Sequence, residues 1–337
     1  MVFSAVFAIV SAMVGAGFAS GREIITFFSR YGPLSWLLVI WAAIMMGWLI
    51  HAYLSIASDG SNPFFRFVGK PVMLLMFAAA GGAMTAAAGE VAALTLPVFH
   101  ARIIGCLLTL AAGIVISRKT VKALGMIGRI LVPLMLVAFF FCFRLSAKSS
   151  CDAPAAIPSV WFALFQLLGY CGLNVTLSSG VIREAGTQCK DCRKLVVWTG
   201  ILIGMLLCAG NAAMVSHAAA MENEPLPVVM LLRNYQKTGY CLSASVLYLA
   251  VFSTLTAILR AMRELFPQGM KHPGAWSGLM CAVFSLLGFD LLVQYAYAAL
   301  GWIGILLIFW KKHIRHGTKQ KDVSSIGRTP MKKEMTE

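Results

Sequence analysis

The segment Val14-Gly-Ala-Gly-Phe-Ala-Ser-Gly-Arg-Glu-Ile24 concentrates chemistry-bearing groups within an apolar stretch. Gly15, Gly17 and Gly21 weaken a helix there, at about 1 kcal/mol per glycine. Lipid cannot bond the freed peptide groups, so backbone unwound at bilayer depth must be buried in protein or line a cavity. An opening near Gly15, Ala16 and Gly17 releases carbonyls from the first half of the helix. It also releases amides from the second, whose positive end suits an anionic group such as a carboxylate. Two carboxylates lie in apolar surroundings, Glu23 beyond the glycines and Glu90 inside the run AAAGEVAAL. Intramembrane acids are costly and are usually kept for function. Each either carries a coupling proton or binds an amine; the structural alternative is a buried acid held by hydroxyls or by Arg22.

A second stretch has a similar make-up. In Trp161–Asn174, Gly169 and Gly172 bracket a polar centre formed by Tyr170 and Asn174. If both stretches unwind, Gly15, Ala16, Gly17 and Phe18 form one wall of a solute site, and Phe165, Tyr170 and Asn174 the other. The alternative for each aromatic is ordinary packing, and for Asn174 and Asn211 hydrogen bonding between helices. Gly81, Gly82 and Gly89, set among alanines, are read as close-packing glycines.

These residues need a membrane scaffold to position them. Hydrophobic residues are 59% and charged residues 12% of 337, with a mean hydropathy of +0.81, which excludes an ordinary soluble domain. At about 20 apolar residues per span, the pattern predicts an all-α, polytopic membrane protein with about ten transmembrane helices. They run near 2–30 (broken), 33–57, 70–97, 100–117, 121–143, 158–182 (broken), 193–217, 240–265, 273–289 and 291–310. Helices 1 and 6 are thus both broken and lie five spans apart, the pattern of a five-plus-five inverted repeat. The transmembrane domain is 1–310, with repeats of about 1–143 and 158–310, and 311–337 is read as a disordered basic tail. The segment 225–232 reads as a short re-entrant or surface helix. The first helix has no basic leader region, so it is read as uncleaved, with a few residues expected upstream of Met1.

With the N-terminus inside, 21 of the 28 Lys and Arg fall on the cytoplasmic side. That bias follows the positive-inside rule and puts both termini in the cytoplasm of a bacterial-type cell membrane. The net charge of +15 is thereby a matter of topology, and no nucleic-acid partner is implied. Nine cysteines, mostly intramembrane, do not form a disulfide framework. Cys189 and Cys192 make a lone CxxC without a second ligand pair, and Cys151 and Cys241 lie near outer connections where they could pair. HExxH, GxSxG and paired-Asp motifs are missing, so an enzyme is not expected.

The string VGAGFASGREI, followed by Phe27-Phe28 and Tyr31-Gly32, resembles the YkvI family of bacterial membrane proteins. More distantly the chain resembles the LeuT-like fold of the amino acid–polyamine–organocation superfamily. That resemblance implies a five-plus-five inverted repeat and solute transport. It also implies a sodium site in which Ser253 and Thr254 join the carbonyls of Ala250, Ser11 and Val14. Hard cations favour such oxygen ligands. The alternative is that the two hydroxyls satisfy carbonyls of the preceding turn. The expected activity is secondary transport of a small amino acid or amine, coupled to sodium or protons. No cofactor is expected beyond the coupling ion, and the partners are the solute and the lipid bilayer. The rival reading is a ligand-sensing subunit that keeps the fold without transporting, as in germinant-receptor components.

Overall fold

The computed structural model describes residues 2–56, 69–95, 98–119, 121–146, 159–189, 191–222, 224, 226–267, 269–288 and 300–306. Among them the regular structure is helical, without strands. The α-helices are α1 (Val2–Met13), α2 (Ala16–Ala19), α3 (Arg22–Phe27), α4 (Ser35–Ile56), α5 (Lys70–Thr95), α6 (Ala101–Ile116) and α7 (Val121–Ser146). They continue with α8 (Val160–Leu177), α9 (Ser179–Gln188), α10 (Cys192–Met214), α11 (Pro227–Leu232), α12 (Gln236–Leu265) and α13 (Pro273–Ser285). Residues 300–306 are helical. The tail 311–337 and Cys151 lie outside the described residues, as does most of the last expected span.

Six helices, among the described residues, are long and apolar enough to cross a bilayer: α4, α5, α7, α8, α10 and α12. The apolar α1 and α6 are shorter. The chain is therefore a multi-pass membrane protein. Large apolar side chains such as Leu37, Ile44, Leu108, Ile201 and Val283 are exposed on the outer helix faces, where a lipid-facing surface requires them. Local chemistry sets the helix ends. Asp191 caps α10 by accepting from the Lys194 amide at 3.1 Å, and this bond with the Lys194 ammonium holds its carboxyl below the usual range. Pro227 and Pro273 open α11 and α13 at positions where a missing amide costs nothing.

The interior is organised around α1 and α5. Helix α1 packs against α7, α10 and α12, while α5 packs against α6, α12 and α13. Of the apolar window in α5, 78% is buried, against 33% in the first span, so α5 is a central strut and α4 a peripheral one. The small residues of α5 explain how it can be enclosed. A Cβ on Gly81 would strike Cys281, one on Gly82 the backbone at Phe284, and one on Gly89 the Arg102 carbonyl. In lipid, helices gain little from apolar burial and associate through such close approach.

Candidate functional site

The first helix opens twice. The regular helix of α1 ends at Met13, and Gly15 takes an extended conformation (φ −89°, ψ −173°) before α2 begins. After one turn Gly21 adopts φ +83°, a left-handed conformation that favours glycine, and α3 follows. The sequence reading placed one opening here; the second is carried by the Ser20-Gly21 pair.

The freed carbonyls are met from outside the helix. Ser253 donates to the Ser11 carbonyl at 2.7 Å and Thr254 to the Val14 carbonyl at 3.0 Å. Ser253 also reaches the Ala250 carbonyl at 3.0 Å. Ser20 Oγ donates to the Gly17 carbonyl at 3.1 Å, and the Val228 amide to the Ser20 carbonyl at 2.8 Å. The amides of Gly15, Ala16, Gly17 and Phe18 have no backbone carbonyl partner among the described residues. Ser253 thus joins the Ser11 and Ala250 carbonyls, and the next residue, Thr254, joins that of Val14. All five residues are buried. Such a neutral oxygen cluster can accept a monovalent cation or act as a cap for the end of α1.

Glu23 folds back over the break. A Cβ on Gly17 would lie 2.7 Å from its Cγ and 2.8 Å from its carboxyl carbon, so the acid occupies the space a side chain at position 17 would need. Glu23 is 5% exposed, and its Oε2 has no hydrogen-bond partner among the described residues. The Tyr170 hydroxyl lies beside the carboxyl group. Tyr170 stacks on Phe27 with ring centroids 4.7 Å apart and meets Phe28 edge-on at 5.7 Å. Gly15 lies between α5 and α12, with Met84 and Thr254 side chains within 4 Å of a Cβ placed there. Phe18 is buried, edge-on to Phe139.

The second wall differs from expectation. Helix α8 runs unbroken through Gly169, Tyr170, Gly172 and Asn174, and the interruption falls at Ser178 (φ −87°, ψ 2°), where α9 takes over. The glycines of α8 serve close packing. A Cβ on Gly172 would strike Ile305 and the Gly301 carbonyl, and one on Gly301 would strike the Gly169 backbone. Asn174 spends its amide on the Tyr170 carbonyl one turn back, at 3.0 Å. Of the three residues expected on this wall, Tyr170 alone touches Glu23. Phe165 is 55% exposed and stacks on Trp302, so its ring faces outward and away from the break.

Glu90 is also displaced from its expected role. It pairs with Arg102 at 2.7 Å with both side chains substantially exposed, so it forms a surface ion pair. Arg22 does not hold Glu23. It reaches instead to the carbonyls of Glu222 and Glu224, the latter at 3.0 Å, while Arg30 pairs with the Glu222 carboxylate at 3.2 Å. These contacts clasp the segment leading to α11, whose Pro227 and Val228 press on Gly21. Asn211 links Ser29 and Ser35 between elements, each at 2.9 Å. Cys189 is buried and Cys192 exposed, and no metal-holding cluster occurs among the described residues.

Sequence reasoning grouped Gly21 with Gly15 and Gly17 in one break; it missed that Gly21 opens separately, that α11 covers it, and the pairing of Phe27 and Phe28 with Tyr170. The Ser-Gly dipeptide was the available signal for the first; the others depend on packing between distant segments.

A broken first helix, hydroxyls from α12 meeting its freed carbonyls, and a bundle built on α1 and α5 define a LeuT-like membrane protein. No family model matches the chain. It is similar to the uncharacterized membrane protein YkvI of Bacillus subtilis (strain 168), with 22% identity over 90% of this chain and 92% of that one. The uncharacterized protein YyaD of the same organism is 22% identical over 89% of this chain and 93% of its own. Among solved structures the fold matches MhsT in complex with L-phenylalanine, with a TM-score of 0.60, 14% identity, and coverage of 90% of this chain and 87% of that one. A mutant manganese transporter of Eremococcus coleocola gives 0.55 at 13% identity, covering 91% and 74%. The inward-facing conformation of Mhp1 gives 0.52 at 12%, covering 91% and 75%. The chain is thus similar to YkvI over nearly its whole length, and its fold is LeuT-like.

Proposed function

We propose that the protein is a secondary active transporter that moves a small amino acid or amine by alternating access, with sodium as coupling ion. The observation that carries this reading is the meeting of the Ser253 and Thr254 hydroxyls with the Ser11 and Val14 carbonyls at the opening of helix 1. A sodium ion would draw the same oxygens inward without burying further charge. The fold shared with MhsT and with the manganese transporter supports the transport class. Ten spans arranged as two inverted halves, with both termini in the cytoplasm of the cell membrane, complete the proposal.

The decisive experiment is uptake into proteoliposomes containing this protein alone, with and without a sodium gradient. Ser253→Ala/Thr254→Ala should weaken the apparent sodium affinity at least tenfold, about 1.4 kcal/mol. Unchanged sodium-dependent uptake in that variant removes the ion site. Proton coupling through Glu23 would show differently: Glu23→Gln would lose pH-driven uptake yet retain solute exchange. Solute binding without any uptake by the wild type would support the sensor reading. For topology, a reporter fused after residue 315 should be active only inside the cell, and external activity would exclude ten spans with inverted halves.

A further inference from the structure

We infer that Glu23 is the residue that binds the ammonium group of the solute, so that a solute must carry a cationic amine to occupy this site. The inference rests on the transport reading for the location of the site and adds the chemical class of what enters it. Glu23 is almost wholly buried, its Oε2 lacks a partner among the described residues, and it stands against the break beside Gly17. Among the described residues no Lys, Arg or His forms an ion pair with it, and adjacent Arg22 is committed to the carbonyls of residues 222 and 224. A buried carboxyl without a compensating charge is relieved either by a proton or by a cation, and an arriving ammonium supplies the second.

The surroundings discriminate among cations. A metal ion seeks several oxygen ligands, whereas among the described residues the side-chain oxygen found beside Glu23 is the Tyr170 hydroxyl. Aromatic rings border the same place: Tyr170 with Phe27 stacked upon it and Phe28 at its edge. A carboxylate flanked by aromatic rings suits an organic ammonium, which donates to the acid while its alkyl part and diffuse charge lie against the rings. The sodium cluster on α12 is chemically distinct, neutral and built of hydroxyls and carbonyls. The two cations thus have separate receivers along one broken helix.

The test uses the purified full-length protein and three four-carbon probes: n-butylamine, 2-aminobutyrate and butyrate. Calorimetric binding should detect the first two and not butyrate. Glu23→Gln should weaken n-butylamine at least tenfold, and Glu23→Asp, which keeps the charge, should retain part of that affinity. Sodium-dependent thermal stabilisation of Glu23→Gln, read through Ser253 and Thr254, shows that the variant is folded. Equal n-butylamine affinity in wild type and folded Glu23→Gln, or butyrate binding as tight as the amines, overturns the inference. If Glu23→Gln fails to fold, Glu23→Asp decides: an affinity for n-butylamine wholly unaffected by the shortened acid counts against it. Ammonium binding without uptake by the wild type would sink the transport reading alone. Normal uptake by Glu23→Gln would sink this inference alone.

Discussion

Around Gly15 the chain leaves the helix, and its released carbonyls are met by hydroxyls from α12, more than 200 residues away in sequence. Around Gly169 the chain stays helical, and its exposed backbone is covered by another backbone at Gly301. The two regions use the same residue for opposite ends. A glycine can release a helix only where foreign donors and acceptors replace the lost ladder; where an apolar partner waits instead, the missing side chain becomes a place to dock. The polar supply therefore decides which glycines open. Ser253, Thr254, Ser20 and the Val228 amide stand around the first region. At the second, Asn174 turns its amide back on its own helix.

The largest test of this contrast is Gly17→Leu. The new side chain would displace Glu23 and fill the opening, so uptake should fall to background in a protein that still inserts and folds. Normal uptake would mean that the first-region glycines also serve packing. Next comes Gly301→Ala, which places a methyl group on the Gly169 backbone. Overpacking of this kind costs about 1–3 kcal/mol, so thermal unfolding should move down while solute affinity stays near that of the wild type. A selective loss of solute affinity with unchanged stability would bring α8 glycines back into the site. Gly21→Ala forces a side chain into the left-handed region, at about 1–2 kcal/mol, and should lower the unfolding temperature further in the presence of crowding by Val228. An unaltered unfolding temperature would argue that the second opening is not held at Gly21. The smallest effect belongs to Arg30→Ala. Its pair with Glu222 is partly exposed, so a loss of about 0–1 kcal/mol, diminishing with added salt, is expected. A loss beyond that range would make the clasp over α11 a main support of the first break.

The membrane class, the helical segments and the first opening were legible because glycines, a serine and charges inside an apolar run leave few alternatives in lipid. The five-residue oxygen cluster was legible only through resemblance, since α12 comes close to the break by tertiary packing. The position of the α8 interruption was not legible. Gly169 and Gly172 carry the same signal whether they unwind or dock, and their docking partners sit more than 100 residues downstream. Glu90 misled for a related reason. Alanines surround it in sequence, but the helix turns it toward Arg102.

The seat of Glu23 upon Gly17 makes these two positions a single unit of inheritance. A side chain gained at 17 evicts the acid, so descendants that acquire one should also lose or shorten the residue at 23. The dependence runs one way, because a glycine at 17 accommodates any neighbour. In a deep collection of related sequences, acid at 23 should therefore occur almost solely beneath glycine at 17, whereas glycine at 17 should accompany many residues at 23.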